Sequence, residues 1–69
     1  MNAADKCRAN GWGPGTRIQG ASRYSITIIE ITAVGEKSIL AKVISENGRP
    51  APRSESTWVL SDRNWQVAA

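Results

Sequence analysis

Six side-chain carboxylates, one thiol and no imidazole are the first groups to weigh for acid–base or metal chemistry in this chain. Without His, the commonest general base near neutral pH and the commonest zinc ligand are both missing. Cys7 is the single Cys, so neither an intramolecular disulfide nor a thiolate metal site can form within one chain. It reads as a passive thiol of a reducing compartment. The carboxylates are dispersed: Glu30 and Glu46 in or beside expected strands, Glu36 and Asp62 in turns, Glu55 just ahead of a strand. No two of them make an acid–base pair, and solvated surface roles are expected. Gly13-Pro14-Gly15 is not followed by the Lys-Ser/Thr of a phosphate loop, nor by a helix start. The expectation is a non-enzyme without cofactor or metal.

Binding chemistry is better represented. Three Trp and one Tyr stand in a chain with no Phe, so the indoles must build the core or mark a contact face. Trp58, between Thr57 and Val59 in an expected strand, reads as core. Trp65 is equally compatible with covering an open end of the fold and with an exposed role. Trp12 and Tyr24 fall at loop–strand junctions, where contact faces often form; packing of the N-terminal tail is their other reading. Arg17, Arg23, Arg49, Arg53 and Arg63 could make a phosphate-tracking rim around exposed aromatics, or simply be solvated loop charges. Nine Lys and Arg against six Asp and Glu leave a net charge of +3, with the excess in the first 23 residues. That balance permits an anionic partner without demanding one. No apolar run approaches the roughly 20 residues that cross a bilayer, so no membrane partner is expected.

These side chains need elements to hold them. Asn2 as N-cap, Asp5 in the first turn, Arg8 near the end and Gly11 as a left-handed stop outline a short helix. So short a helix forms only if Ala4, Cys7 or Trp12 packs against something, and a frayed tail is the alternative. After Trp12-Gly13-Pro14-Gly15, strands are expected at residues 16–19, 24–34, 38–45, 56–60 and 65–67. The second is the most secure, being dense in Ile and Thr with neither Gly nor Pro. Its alternation slips, because Ile26 and Ile28 share one face while Ile29, Ile31 and Ala33 share the other. A bend or bulge near Ile28-Ile29 would resolve this. In the returning strand Ile39, Ala41 and Val43 share a face opposite Leu40, Lys42 and Ile44. Residues 46–55, with Asn47-Gly48, Pro50 and Pro52, read as loop throughout, and Ser61-Asp62-Arg63-Asn64 as a turn containing one 3₁₀ turn.

A chain of 69 residues has room for one core. Five short strands predict an all-β fold, a small five-stranded SH3-like barrel at residues 15–69 behind an N-terminal helix or tail at 1–14. An oligonucleotide-binding barrel fits less well, because the Pro-rich loop 46–55 is a poor place for the helix that fold carries.

The runs Gly11-Trp12, Gly15-Thr16-Arg17, residues 29–36, Ile39-Leu40-Ala41-Lys42, Asn47-Gly48, Trp58-Val59-Leu60 and Arg63-Asn64-Trp65 resemble small proteins encoded by bacteriophages of actinobacteria, over roughly residues 7–67. The resemblance implies a viral product made in the host bacterial cytoplasm and acting on host machinery. It brings no activity or site residue to transfer. Three roles follow. The first is a protein-binding module that engages a host or phage protein through Trp12, Tyr24 and loop 46–55. The second is nucleic-acid binding by the five arginines. The third is an oligomeric sponge that traps a small anionic molecule between subunits. The modest charge favours the first, and oligomeric state stays open.

Overall fold

The computed structural model describes residues 2–21, 23–60 and 64–68. The N-terminal segment is a helix rather than a frayed tail. Helix α1 (Ala3–Asn10) starts where Asn2 Oδ1 accepts the Asp5 N–H at 2.8 Å. It stops at Gly11, φ +72°, where the Gly11 and Trp12 amides donate back to the Arg8 and Cys7 carbonyls. This is the paired bonding of a Schellman cap, which spares the last carbonyls from going unsatisfied. Tertiary contact supplies what length does not. Ala3, Ala4 and Cys7 are buried, and Trp12 is only 8% exposed. The Arg8 guanidinium also donates to the Gly35 and Glu36 carbonyls at 3.0 and 3.1 Å, tying the helix to a distant turn.

Six strands follow: β1 (Arg17–Ala21), β2 (Ile26–Val34), β3 (Ile39–Glu46), β4 (Arg49–Pro50), β5 (Ser56–Trp58) and β6 (Asn64–Val67). They form one antiparallel sheet of order β4-β3-β2-β1-β6, with β5 also paired to β3. The expected first strand starts one residue later and runs on through Gly20 and Ala21, which had read as loop. Tyr24 and Ser25 precede β2 rather than belonging to it, and Val59 and Leu60 follow β5. Leu60 turns out of the strand at φ +54°, a costly conformation for a branched residue, and its side chain is buried in the core. The turn expected at residues 61–64 lies outside the described residues except for Asn64, which begins β6.

A register shift falls at Ile28-Ile29 as expected, but the extra residue lies on β3, and β2 itself keeps its alternation there. There the pairing skips Ile44 on β3, and a second shift skips Thr32 on β2. It does not hide every isoleucine. Thr27, Ile29 and Ile31 face the core with Ile39, Ala41 and Val43, while Ile28 and Ile44 stay half-buried on the outer face and Ile26 is 45% exposed.

Residues 46–55 are not one loop. Asn47 and Gly48, at φ +53° and +79°, form the two-residue connection of a hairpin between β3 and β4, a turn that needs positive φ at both positions. The chain then runs on along β3: Ala51 and Arg53 donate to the Ile44 and Val43 carbonyls, both at 3.1 Å. Pro50 and Pro52 alternate with these donors, so the residues that have no N–H face away from β3, as proline does on a sheet edge.

The sheet curls until its ends touch through side chains. Trp58 of β5 meets Trp65 of β6 edge-to-face, with ring centroids 5.8 Å apart at 83°. Among the described residues no ladder joins β5 to β6, so the sheet is not a closed barrel. Both terminal strands are short, of three and four residues, and two indoles stand where a hydrogen-bonded seam would be. Trp65 also lies over Gly20, its cross-strand neighbour, where a Cβ would come within 2.8 Å of the indole ring. The radius of gyration, 10.9 Å, is close to the roughly 11 Å of a compact chain of this length, as expected with the helix packed onto the sheet.

Candidate functional site

The outer face of the sheet is organised in rows across the strands. Near the middle, Arg17 on β1, Glu30 on β2 and Lys42 on β3 stand side by side, with Glu30 accepting from Arg17 at 3.2 Å and facing the Lys42 ammonium at 3.7 Å. Cross-strand pairs of opposite charge satisfy one another with little net effect on an exposed face. The next row holds Gln19, Ile28 and Ser45. Ile28, Ile44 and Pro50 line a shallow hollow of about 360 Å3 there, with Arg17 also on its wall.

Beyond this row the β1–β2 loop and the β3–β4 turn are held together. Asn47 donates its backbone N–H to the Ile26 carbonyl at 2.8 Å, and its side-chain Oδ1 accepts the Ile26 N–H at 2.9 Å. One residue thus clips two connections that are far apart in sequence. The clip brings Arg23 and Tyr24, in the β1–β2 loop, to the same end of the sheet as Arg49. Tyr24 is 87% exposed, the most exposed of the large apolar side chains described. Arg49 borders a second open depression of about 530 Å3 with Glu46, Asn47, Pro50 and Ala51. Arg53 is also at this end, but Glu46 engages it at 3.2 Å.

The residues singled out from the sequence therefore separate. Trp12 and Trp65 belong to the core, 8% and 6% exposed, because the helix covers the first and Gly20 makes room for the second. Neither presents its ring for surface contact. Trp58 is half-buried against the same core, as its strand position suggested. Arg17 and Arg53 are exposed but face carboxylates, whereas Arg23 and Arg49 face none among the described residues. Arg63 lies outside the described residues. Ile26, Ile28 and Ile44 join the site without having been expected there, and Asn47 enters it from within the expected contact loop 46–55. Their signals were present in the sequence: isoleucines on the wrong face of an alternating strand, and an Asn-Gly dipeptide between two strands.

The reactive groups lie elsewhere. Cys7 is fully buried, and burial pushes its thiol up against the opposing pull of Arg8 and Lys6, which disfavours the nucleophilic thiolate. Asp5, Glu30 and Glu46 each face an arginine. Among the described residues no group of three acidic, His or Cys side chains could hold a metal ion. No helix there is long and apolar enough to cross a membrane.

A family model described as "Domain of unknown function (DUF7241)" matches residues 1–69. The chain belongs to this family. No match is found among curated proteins or among solved structures. The DUF7241 match takes in helix and sheet alike, in keeping with the burial of Cys7 and Trp12 in the same core as the strand isoleucines.

Proposed function

We propose that this DUF7241 domain is a non-catalytic binding module of SH3-like architecture that engages another protein through the end of the sheet carrying Arg23, Tyr24 and Arg49. The observation that carries the reading is the Asn47 clip. It holds two connections side by side, and between them they expose an aromatic ring and two arginines that no described carboxylate engages. A nearly bare tyrosine gains by burial against a partner, and aromatic and arginine side chains dominate the energetics of protein interfaces. The strand order and the contact between Trp58 and Trp65 support the SH3-like description. The resemblance to phage-encoded proteins supports a bacterial host or phage protein as the partner and the host cytoplasm as the setting.

Nucleic-acid binding has weaker support. Two of the five arginines are already neutralised, and two of the candidate stacking aromatics are buried.

The test is site-specific photo-crosslinking in bacterial lysate. A benzophenone amino acid at Tyr24 should give discrete protein adducts, identifiable by mass spectrometry. The same probe at Lys42, on the charge row, should give none of them. Adducts that are equal at both positions, or that consist of nucleic acid, would overturn the reading.

A further inference from the structure

The Asn47-Gly48 turn that fastens this end of the sheet carries a chemistry of its own. In an asparagine–glycine pair the backbone nitrogen of the second residue reaches the side-chain carboxamide of the first with least hindrance, because glycine has no Cβ in the way. The chain holds two such pairs, Asn10-Gly11 and Asn47-Gly48, both at exposed positions. Their surroundings differ. At Asn10 both reacting groups are engaged: Nδ2 donates to the Lys6 carbonyl at 2.8 Å, and the Gly11 N–H donates to the Arg8 carbonyl at 3.3 Å in the helix cap. At Asn47 one bond restrains the carboxamide, the acceptance of the Ile26 N–H by Oδ1 at 2.9 Å. Its Nδ2 and the Gly48 N–H have no partner among the described residues. A Cβ at Gly48 would meet nothing within 4 Å, so the tip of the turn stands open to water.

We infer that Asn47 is a self-modification site, gated by its bond to Ile26, whose product unfastens the two connections irreversibly. The Gly48 nitrogen, deprotonated by hydroxide, attacks Asn47 Cγ once the carboxamide has left Ile26. A bond from that nitrogen to Cγ forms, the Cγ–Nδ2 bond breaks, and Nδ2 departs as ammonia with a proton taken from water. Water then opens the cyclic imide. Addition at the side-chain carbonyl leaves an aspartyl residue on the natural backbone. Addition at the main-chain carbonyl leaves an isoaspartyl residue, in which the backbone runs through Cβ and Cγ and gains a methylene. A two-residue turn with positive φ at both positions has no room for the longer path. The aspartyl form keeps an acceptor for the Ile26 N–H, whereas the isoaspartyl form no longer presents one from the same backbone. The connections that carry Tyr24 and Arg49 then part. This chemistry does not depend on the protein-binding role and holds whatever the loops contact.

The test incubates the full chain at mildly alkaline pH, folded and in urea, with sampling by peptide-mapping mass spectrometry. Replacement of the amide by a carboxylate adds one mass unit and locates the site. An isoaspartyl methyltransferase with labelled S-adenosylmethionine measures the isoaspartyl share. In the folded chain Asn47 should convert at least about fivefold faster than Asn10, where two hydrogen bonds and a helix end must open rather than one bond. In urea the two rates should converge, and that of Asn47 should rise about fivefold as its single restraint is lost. The isoaspartyl fraction, separated chromatographically, should exchange the Ile26 amide hydrogen at least about tenfold faster than Asn47→Asp, which carries the same charge on a natural backbone. If Asn47→Asp does not fold, the aspartyl fraction of the same incubation takes its place. Equal or faster conversion at Asn10 in the folded chain, a folded rate at Asn47 equal to that in urea, or an isoaspartyl fraction that protects the Ile26 amide as well as the aspartyl form does would each overturn the inference.

Discussion

Trp65 and Tyr24 are large aromatics at two margins of one sheet, and they have opposite fates. Trp65 is 6% exposed, pressed on Gly20 and met edge-on by Trp58. Tyr24 is 87% exposed, in a loop whose neighbours are held in place by Asn47 rather than by packing on the ring itself. The contrast teaches that this small chain spends its tryptophans on closing the curl of the sheet, where hydrogen bonding falls short, and leaves its tyrosine for contact. Stability and recognition then reside in different residues, and substitutions should separate them.

The largest effect is expected at Trp65→Ala, which leaves a void over Gly20 and removes the edge contact with Trp58. A loss of about 3–5 kcal/mol is typical for such a truncation, close to the whole stability of a domain this small. Urea unfolding followed by circular dichroism checks it, and a loss below about 1 kcal/mol would dissolve the contrast. Gly20→Ala should cost about 1–3 kcal/mol by overpacking the ring. In the Trp65→Ala background the same change should cost almost nothing, because the clash goes with the indole.

Arg8→Ala, which frees α1 from the Gly35 and Glu36 carbonyls, should cost about 1 kcal/mol in the same assay, kept modest by the 52% exposure of its side chain. Cys7 gives a pH test of the sealed region. Its folded thiol titrates above the ordinary value, so the protonated form is favoured by folding. The resulting stability is fully present below the unfolded thiol's pKa and is lost as pH rises through the folded value. The urea midpoint should therefore fall in alkali more steeply in the native protein than in Cys7→Ala. At neutral pH the thiol should resist a disulfide reagent until the protein unfolds. Tyr24→Ala should be the mildest, within about 0.5 kcal/mol of the parent, while abolishing the protein adducts of a benzophenone amino acid placed at Arg49 instead. A large stability loss there would mean that the tyrosine is structural after all.

Much of this architecture is legible in the sequence because it is written in local chemistry. Asn2 and Gly11 mark both ends of α1, since a capping side chain and a left-handed stop act within a few residues. The clash of alternation at Ile28-Ile29 marks the level of a register shift, although the extra residue, Ile44, belongs to the partner strand. Residues 38–45 show their buried face by simple period. What was not legible depends on distant partners. Nothing beside Gly20 announces that its missing side chain receives Trp65. The burial of Trp12 depends on a helix that itself needed tertiary support. The short strand β4 was masked because Pro50 and Pro52 look like loop residues until β3 supplies the carbonyls that select the N–H groups between them. Tyr24 was marked only by its place at a junction, where a tyrosine packs or protrudes according to what surrounds it.

Asn47 has a consequence for engineering. Because its backbone and carboxamide fasten the two connections, positions 23, 24 and 49 can be randomised without touching that fastener or the isoleucine interior. A display library built on these three positions would ask whether this small frame tolerates new specificities, with the clip serving as the fixed hinge-pin of a changeable grip.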